Sequence, residues 1–197
     1  MSDPETLKVY AARSQNYARL TDGDLSNDPL LADFIAALPH GGSALDLGCG
    51  PGTAAGVMAA AGLAVHATDA VPEMIAMAAQ NPRVHAEVRT FDQIGGSALY
   101  DGIWANFSLL HAARATLPAL LETLHTALKP NGYFHIAMKL GTGTTRDRIG
   151  RQYTYVTEDE LRTLLATAGF TITKMRTGRG KGLDGTYADW IALGAYG

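Results

Sequence analysis

An apolar strand pattern runs directly into a glycine-rich turn in residues 44–53, which read ALDLGCGPGT. The glycines allow the backbone to turn sharply at positive φ and let a ligand approach the main chain without meeting a Cβ atom. The alanine-rich segment that follows predicts a helix whose N-terminus faces that ligand. Asp46 precedes the glycines, and its carboxylate would repel the pyrophosphate that a dinucleotide loop holds. The sequence therefore predicts a cofactor loop whose ligand carries a positive charge.

A second carboxylate ends the next apolar run. Residues 63–69 have strand length and end at Asp69, about twenty residues after the first glycines, where an acidic side chain can hold two ribose hydroxyls. That role would serve a nicotinamide dinucleotide and other adenosyl cofactors equally well. A dinucleotide pattern G-x-G-x-x-G that starts at Gly48 would require Gly or Ala at the position of Thr53. The loop therefore disfavours a dinucleotide, and Asp69 predicts only that a nucleoside binds.

Strand and helix patterns alternate along the rest of the chain, which predicts an α/β fold with a mainly parallel sheet. Residues 10–20 show helical spacing. Thr157 and Glu160 form a capping-box pattern for a late helix, which Gly169 would end. Two last strands flank a glycine-rich loop at 178–185. The predicted strands are 44–48, 64–69, 84–90, 101–105, 133–138, 170–176 and 186–195.

Four motifs follow one another in order: D-x-G-x-G-x-G from Asp46, the acid at Asp69, YDGIWANFSLLH at 100–111 and LKPNG at 128–132. In this combination the chain resembles the class I S-adenosylmethionine-dependent methyltransferases. The resemblance implies a doubly wound, mainly parallel seven-stranded sheet with one antiparallel strand near the C-terminus. It also implies a small stand-alone enzyme that transfers a methyl group from S-adenosylmethionine to an acceptor by in-line displacement, with S-adenosylhomocysteine as the product.

The resemblance also implies contacts with the cofactor. Asp46 would face its α-ammonium, Asp69 its ribose and Asp92 the adenine amino group. Met74 would lie under the adenine ring, although it also fits a core position, and Asp92 could instead cap the turn that follows it. The implied cofactor-binding residues are Tyr17, Asp46, Gly48, Cys49, Gly50, Thr53, Asp69, Ala70, Met74, Phe91, Asp92, Ala105, Asn106 and Phe107.

Two members of this set have simpler explanations. Tyr17 would come from an N-terminal segment that folds over the cofactor in such enzymes, with Arg13 as the second candidate, but it could also serve packing alone. Cys49 is the only cysteine and most simply fills a tight turn as a small apolar side chain. A single cysteine excludes an intrachain disulfide, and the histidines lack the paired helical spacing of a metal site, so no metal ion is predicted.

The acceptor side of the site has few fixed motifs. His111 follows the central strand and titrates near neutrality, so it is the candidate base for removing a proton, although it could equally cap a helix or bond to the backbone. Residues 139–155 predict an acceptor wall, and their arginines favour a carboxylate or phosphate on the acceptor unless they form a solvated charged face. The predicted substrate-binding residues are Lys139, Arg146, Arg151 and Tyr153.

Length and composition bound these predictions. The chain has 197 residues, 47% of them hydrophobic, which suits a single domain with a buried core. We divide it into an N-terminal helical cap at 1–40, a cofactor-binding core at 41–140, and a substrate-side segment with a C-terminal hairpin at 141–197. A net charge of −3 argues against nucleic acid as the acceptor. No apolar stretch has the length of a signal peptide or a membrane span, so we expect a cytoplasmic protein without membrane contact that acts on a small molecule.

Three functions remain open at this point. The leading one is a small-molecule methyltransferase. A nicotinamide-dependent oxidoreductase is disfavoured by Asp46, by Thr53 and by a short chain that leaves no separate substrate domain. The third is a regulatory protein that binds S-adenosylmethionine without turnover, because the residues that would hold the cofactor are clearer than those that would use it.

Overall fold

The computed structural model describes residues 3–21, 23 and 25–197, and a seven-stranded sheet forms its centre. The strands of this described part are β1 (Ser43–Leu47), β2 (Ala64–Asp69), β3 (Val84–Val88), β4 (Tyr100–Asn106), β5 (Leu128–Lys139), β6 (Thr144–Arg146), β7 (Gln152–Thr154), β8 (Thr171–Lys181) and β9 (Tyr187–Tyr196). The sheet order is β3-β2-β1-β4-β5-β9-β8, and β6 pairs separately with β7. β9 is antiparallel to both neighbours, and the remaining pairs in the large sheet are parallel. The predicted fold class is therefore confirmed.

The helices flank this sheet or precede it. Their bounds are α1 (Pro4–Ala12), α2 (Ser14–Thr21), α3 (Pro29–Ala37), α4 (Thr53–Ala60), α5 (Pro72–Ala78), α6 (Leu117–Ala127) and α7 (Glu158–Thr167), with short 3₁₀ turns at Leu25–Asn27, Phe91–Gln93, Leu109–His111 and Arg114–Thr116. Capping side chains and prolines explain where two of these helices begin. Asp3 and Asp28 accept hydrogen bonds from backbone N–H groups in the first turns of α1 and α3, and each helix has proline at its first position.

The sheet separates two buried apolar clusters. Leu45 and Ile103 belong to one cluster, whereas their chain neighbours Ala44 and Trp104 belong to the other, because successive strand side chains point to opposite faces. The first cluster is completed mainly by α6 and α7 through Leu121, Leu124, Leu161 and Leu165, and the second by α3, α4 and α5 through Phe34, Met58, Ile75 and Ala78. Both faces of the central strands are therefore covered, as a parallel sheet requires.

Three details of the predicted elements were wrong. The helical segment at 10–20 is two helices, because the chain leaves the helical conformation at Arg13. Gly178 belongs to β8 and not to a loop, and it pairs with Trp190 of β9, whose ring would lie 2.4 Å from a Cβ atom added at this glycine. The capping box is half formed: Thr157 accepts from the backbone of Glu160, but the carboxylate of Glu160 pairs with Arg114.

The carboxyl ends of β1, β2 and β4 meet at one edge of the sheet. Strand order reverses between β1 and β4, so this edge is the topological switch point at which open α/β sheets bind ligands. The two N-terminal helices lie across it, and Tyr17 packs against the loop at Gly50. An ion pair between Arg146 and Asp3, with 2.8 Å between Nη2 and Oδ1, ties the start of α1 to the β6–β7 region. None of the described helices is long and apolar enough to cross a membrane.

The loop before α4 gives a test of this packing. Gly52 has a φ of +85° and approaches α5 so closely that an added Cβ would lie 2.7 Å from the Cβ of Ala78. Gly41 has a similar φ of +73° but no atom within 4 Å of an added Cβ. We expect Gly41→Ala to lower the free energy of unfolding by about 1 to 2 kcal/mol through backbone strain alone. Gly52→Ala should lose about 1 to 3 kcal/mol more through the collision.

Urea unfolding of both variants, monitored by circular dichroism, measures the difference between them. Equal losses of stability in the two variants would show that α5 does not constrain the loop at Gly52.

Candidate active site

The glycine-rich loop forms the floor of a cleft because its backbone lies against neighbouring side chains. Gly48 has a φ of +72°, and an added Cβ would lie 2.5 Å from the Cβ of Ser108. Gly50 has a φ of +54°, and its Cβ would lie 3.2 Å from the ring of Tyr17. Gly48, Gly50, Ser108 and Tyr17 all line the cleft. A larger residue at either glycine would fill the space that a ligand needs.

Asp69 connects the loop to the end of β2. Its Oδ2 accepts a hydrogen bond from the Gly50 N–H at 2.9 Å, and its Oδ1 accepts one from the Val71 N–H at 2.9 Å. Each carboxylate oxygen retains a second lone pair, and the side chain lines the cleft. Burial raises the pKa of Asp69, an effect that these backbone donors oppose. The predicted ribose acceptor therefore lies where a nucleoside would meet it.

Asp46 lies at the end of β1, next to the glycine-rich loop. The residue is 3% exposed and is not among those that line the cleft. Its Oδ2 has no hydrogen-bond donor among the described residues, and burial together with the charge of Asp69 raises its pKa to about 7. Asp46 is therefore a buried and incompletely satisfied carboxyl, and its contact with an ammonium group stays a prediction.

The other predicted cofactor residues divide into two groups. Ala70, Met74, Phe91 and Phe107 line the cleft with the residues described above, and Met74 is also almost fully buried, which fits a core position. Five do not line it. Cys49 packs in the apolar cluster with Ala55 and Met58, and Ala105 is also a core residue. Thr53 begins α4, and the Oδ1 of Asn106 accepts a hydrogen bond from His135. Asp92 is exposed on the 3₁₀ turn after β3.

A second chamber adjoins this cleft and shares Tyr10, Tyr17, Phe107 and His111 with it. Its volume is about 270 Å³, which is near the lower end for small-molecule pockets. The cleft itself has a volume of about 70 Å³ with α1 and α2 packed across it. We call the four residues that line both chambers, Tyr10, Tyr17, Phe107 and His111, the constriction.

Three of the four predicted substrate-binding residues lie in the second chamber. Lys139, Arg151 and Tyr153 line it together with Trp190. Arg146 does not: it is exposed, and its guanidinium binds Asp3 and Glu5 of the N-terminal segment. The structure therefore places Arg146 in a contact with the N-terminal segment and not in the chamber lining.

A buried hydrogen-bond chain runs through the constriction. The Nδ1 of His111 lies 2.8 Å from the carbonyl oxygen of Gln152, which can only accept, so Nδ1 carries the ring proton. The Nε2 is then an acceptor, 2.9 Å from the hydroxyl of Tyr10, and Arg151 donates to the same hydroxyl at 2.8 Å. Burial lowers the pKa of His111 to about 4. The imidazole is therefore neutral at pH 7, with its basic nitrogen covered by Tyr10.

Sequence reasoning missed Tyr10, Ser108 and Trp190. Tyr10 had a signal, since it lies seven residues before Tyr17 in the same helical pattern, two turns apart. Ser108 is adjacent to the central-strand residues that were predicted. No sequence pattern indicates Trp190, because only the antiparallel register that pairs it with Lys139 brings it to the chamber.

One group of side chains away from the cleft has metal-ligand chemistry. Potential ligand atoms of His66, His85 and Glu87 lie within 4.8 Å of one another on β2 and β3, although no metal was predicted. Their present partners are protein groups: Nδ1 of His66 lies 2.8 Å from the Tyr100 hydroxyl, and Glu87 pairs with both His66 and Arg89. This network is hydrogen-bonded as it stands, so we assign it no ion.

Comparison with known proteins identifies the family. The sequence profile of a methyltransferase domain matches residues 22–175. A search of curated proteins found no relative of significant similarity. Among solved structures, the chain is similar to the 1,6-didemethyltoxoflavin-N1-methyltransferase of Burkholderia thailandensis, solved with 1,6-didemethyltoxoflavin and S-adenosylhomocysteine, at 24% identity, 96% coverage of this chain, 86% of that one and a TM-score of 0.77.

Two further structures share the fold. An S-adenosylmethionine-dependent methyltransferase of Mesorhizobium loti matches at 20% identity, with 87% and 98% coverage and a TM-score of 0.68. The [4+2]-cyclase SpnF matches at 17% identity, with 100% and 97% coverage and a TM-score of 0.77. Because the profile spans more than half of the sequence, this chain belongs to the methyltransferase domain family, whose methyl donor is S-adenosylmethionine.

Proposed function

We propose that this protein methylates a small-molecule acceptor and that it does so mainly by positioning the two reactants. The observation that carries this proposal is the pair of chambers that meet at Tyr10, Tyr17, Phe107 and His111. One chamber has the donors and acceptors that suit a nucleoside, and the other has aromatic and basic walls that suit a different molecule. A shared constriction is the arrangement that transfer of a small group between two bound molecules requires.

The residues of the cleft fit S-adenosylmethionine. Asp69 offers free lone pairs to ribose hydroxyls, and Met74 and Phe91 offer apolar surface to an adenine ring. Ser108 lines the cleft and its buried Oγ has no partner among the described residues, so it can bond a polar group of a ligand. Asp46 places negative charge under the loop, which favours a cationic ligand group. When bound, the sulfonium supplies an electrophilic methyl group.

Positioning accounts for the largest share of the expected rate. Holding two reactants in a near-attack geometry contributes about 7 to 11 kcal/mol, whereas general base catalysis contributes about 10²- to 10⁴-fold, or roughly 3 to 5 kcal/mol. Phe107 and Tyr17 line both chambers, and their aromatic rings would reduce the access of water to the reacting groups. Exclusion of water favours a reaction in which charge on the donor disperses. The acceptor would be a small molecule and not a nucleic acid.

Tyr10 and His111 provide a route for a proton if the acceptor must lose one. The Tyr10 hydroxyl faces both chambers and donates to the Nε2 of His111. An acceptor O–H or N–H could transfer its proton to the Tyr10 oxygen while the tyrosine proton moves to Nε2. Arg151, which donates to the same oxygen, would stabilise negative charge there. In this scheme His111 acts through Tyr10 and not directly on the acceptor.

Two other functions give different experimental results. A [4+2]-cyclase with the same fold illustrates that the fold alone does not determine the reaction. Calorimetric titration with S-adenosylhomocysteine and with NADH separates a methyltransferase from a nicotinamide enzyme. A regulatory protein would bind S-adenosylmethionine but release no S-adenosylhomocysteine when it is incubated with methyl-labelled S-adenosylmethionine and pooled small acceptors. We expect binding of S-adenosylhomocysteine, no binding of NADH, and release of the product.

Asp69 gives the first test of cofactor binding. Asp69→Asn should weaken the affinity for S-adenosylhomocysteine by at least about tenfold, or about 1.4 kcal/mol, because a charged acceptor for the ribose hydroxyls is lost. The matched control is Asp92→Asn, an exposed carboxylate outside the cleft lining, which should change the dissociation constant by less than about twofold. Isothermal titration calorimetry measures both constants. A larger loss in Asp92→Asn than in Asp69→Asn would move the nucleoside away from Asp69 and support the adenine contact first predicted for Asp92.

Asp46 gives a second test through pH. Its pKa of about 7 in the free protein would fall when a cation binds above the loop, so binding below pH 7 must release a proton. Affinity for S-adenosylhomocysteine should therefore weaken as the pH falls, by up to about tenfold between pH 7.0 and pH 5.5, a range in which the ligand ammonium stays charged. Asp46→Asn should reduce this pH dependence. An unchanged slope in the variant would show that Asp46 is not the group that senses the ligand charge.

A further inference from the structure

Basic side chains line the second chamber, and the carboxylates of Asp147 and Asp184 that lie near them are outside its lining. Among the described residues that line it, Lys139, Arg151 and Lys181 are basic and none is acidic. Asp184 lies near Lys139, but its oxygens accept hydrogen bonds from Thr186 and it does not line the chamber. A cavity with this charge pattern favours an anionic occupant.

Arg151 is already neutralised within the protein. Its Nε and Nη2 lie 2.9 and 2.8 Å from the Oδ2 of Asp147, and its Nη1 donates to Tyr10. The side chains of Arg151 and Asp147 are both buried. The guanidinium therefore cannot turn towards a ligand without breaking its ion pair with Asp147. Arg151 therefore positions Tyr10, and its charge is balanced by Asp147, although its Nη2 has no hydrogen-bond partner of good geometry among the described residues.

Lys139 differs from Arg151 in having no such partner. Its ammonium lies 3.8 Å from the centre of the Tyr153 ring, and within the described ranges no carboxylate forms an ion pair with it. The side chain is partly buried, and burial together with the charge of Arg151 lowers its pKa. A desolvated ammonium whose N–H groups face a cavity is stabilised by an anionic acceptor in that cavity.

The remaining walls of the chamber are largely aromatic. Tyr10 and Tyr17 pack edge to face with ring centres 5.3 Å apart, and Phe107 and Trp190 pack edge to face at 6.1 Å. With Tyr153 they surround the space in front of Lys139. Such rings favour stacked or edge-to-face contact with another ring over contact with a flexible aliphatic chain.

We propose that the acceptor is a small aromatic acid, a planar ring that carries a carboxylate or an ionised hydroxyl, and that Lys139 is the residue that holds its anionic oxygen. This inference rests on the proposed function, since it names the substrate class of the same site. Lys181, at the exposed end of β8, adds positive charge at the mouth of the chamber and attracts the anion there.

The test uses probe acids on the protein saturated with S-adenosylhomocysteine. Three probes separate charge from shape: 2-naphthoate, the neutral 2-naphthamide, and the non-aromatic cyclohexanecarboxylate. We expect 2-naphthoate to bind at least about tenfold more tightly than 2-naphthamide, because a charge-assisted hydrogen bond to Lys139 is lost in the amide. Cyclohexanecarboxylate should also bind about tenfold more weakly than 2-naphthoate, through loss of ring contacts.

Two lysine variants assign the preference to one residue. Lys139→Met should reduce the preference for the acid over the amide to less than about threefold, and Lys139→Arg, which keeps the charge, should retain it. Lys8→Met is the matched control, since Lys8 is exposed on α1 and lines neither chamber, and it should bind all three probes like the native protein. Affinity for S-adenosylhomocysteine should be unchanged in every variant, which also shows that each variant is folded.

The outcomes distinguish this inference from the proposed function. Binding of S-adenosylhomocysteine with equal affinities for acid and amide would overturn the inference and leave methyl transfer intact. A preference for the acid that survives Lys139→Met would overturn the assignment to Lys139. Failure to bind S-adenosylhomocysteine at all would overturn the proposed function first.

Discussion

The hydrogen bond from the Gly50 N–H to the carboxylate of Asp69 is the interaction on which the rest of the site depends. It fixes the glycine-rich loop after β1 against the end of β2, and the second oxygen of Asp69 fixes the start of the next loop at Val71. Gly48 can then lie against Ser108, and Tyr17 can pack on Gly50. A single carboxylate thus joins two strand ends, shapes the floor of the cleft and retains lone pairs for a ligand.

The same arrangement explains why a second acid is buried nearby. Asp46 lies under the loop with a raised pKa and an oxygen that no described donor satisfies. A carboxyl in this state is costly for an empty protein and is stabilised in its charged form by a cation above the loop. The negative charge of Asp46 therefore favours binding of a cation but disfavours the folded protein without ligand. Such a conflict is common at functional sites.

Much of the fold and part of the site could be predicted from the sequence, for identifiable reasons. The approximate positions of the strands follow from periodicity and the position of Asp69 from glycine spacing, which are local properties, whereas the doubly wound sheet was implied by the resemblance to class I methyltransferases. The depth of Asp46 could not be predicted, because it depends on how the loop closes over the strand end. Arg146 and Arg151 have the same chemistry in the sequence, and only the folded structure shows that Asp3 pairs with the first and Asp147 with the second. Trp190 reaches the chamber through pairing between distant strands, which leaves no local pattern.

We propose that two chambers, one for the cofactor and one for the acceptor, meet beside Tyr10 and Phe107. The most direct measurement is a crystal structure of the protein with S-adenosylhomocysteine. We expect the ribose hydroxyls of the ligand to lie within hydrogen-bond distance of Asp69. We expect its sulfur atom to face Tyr10, Phe107 and His111 at the constriction. A ligand bound elsewhere, or one whose sulfur points away from the second chamber, would contradict it.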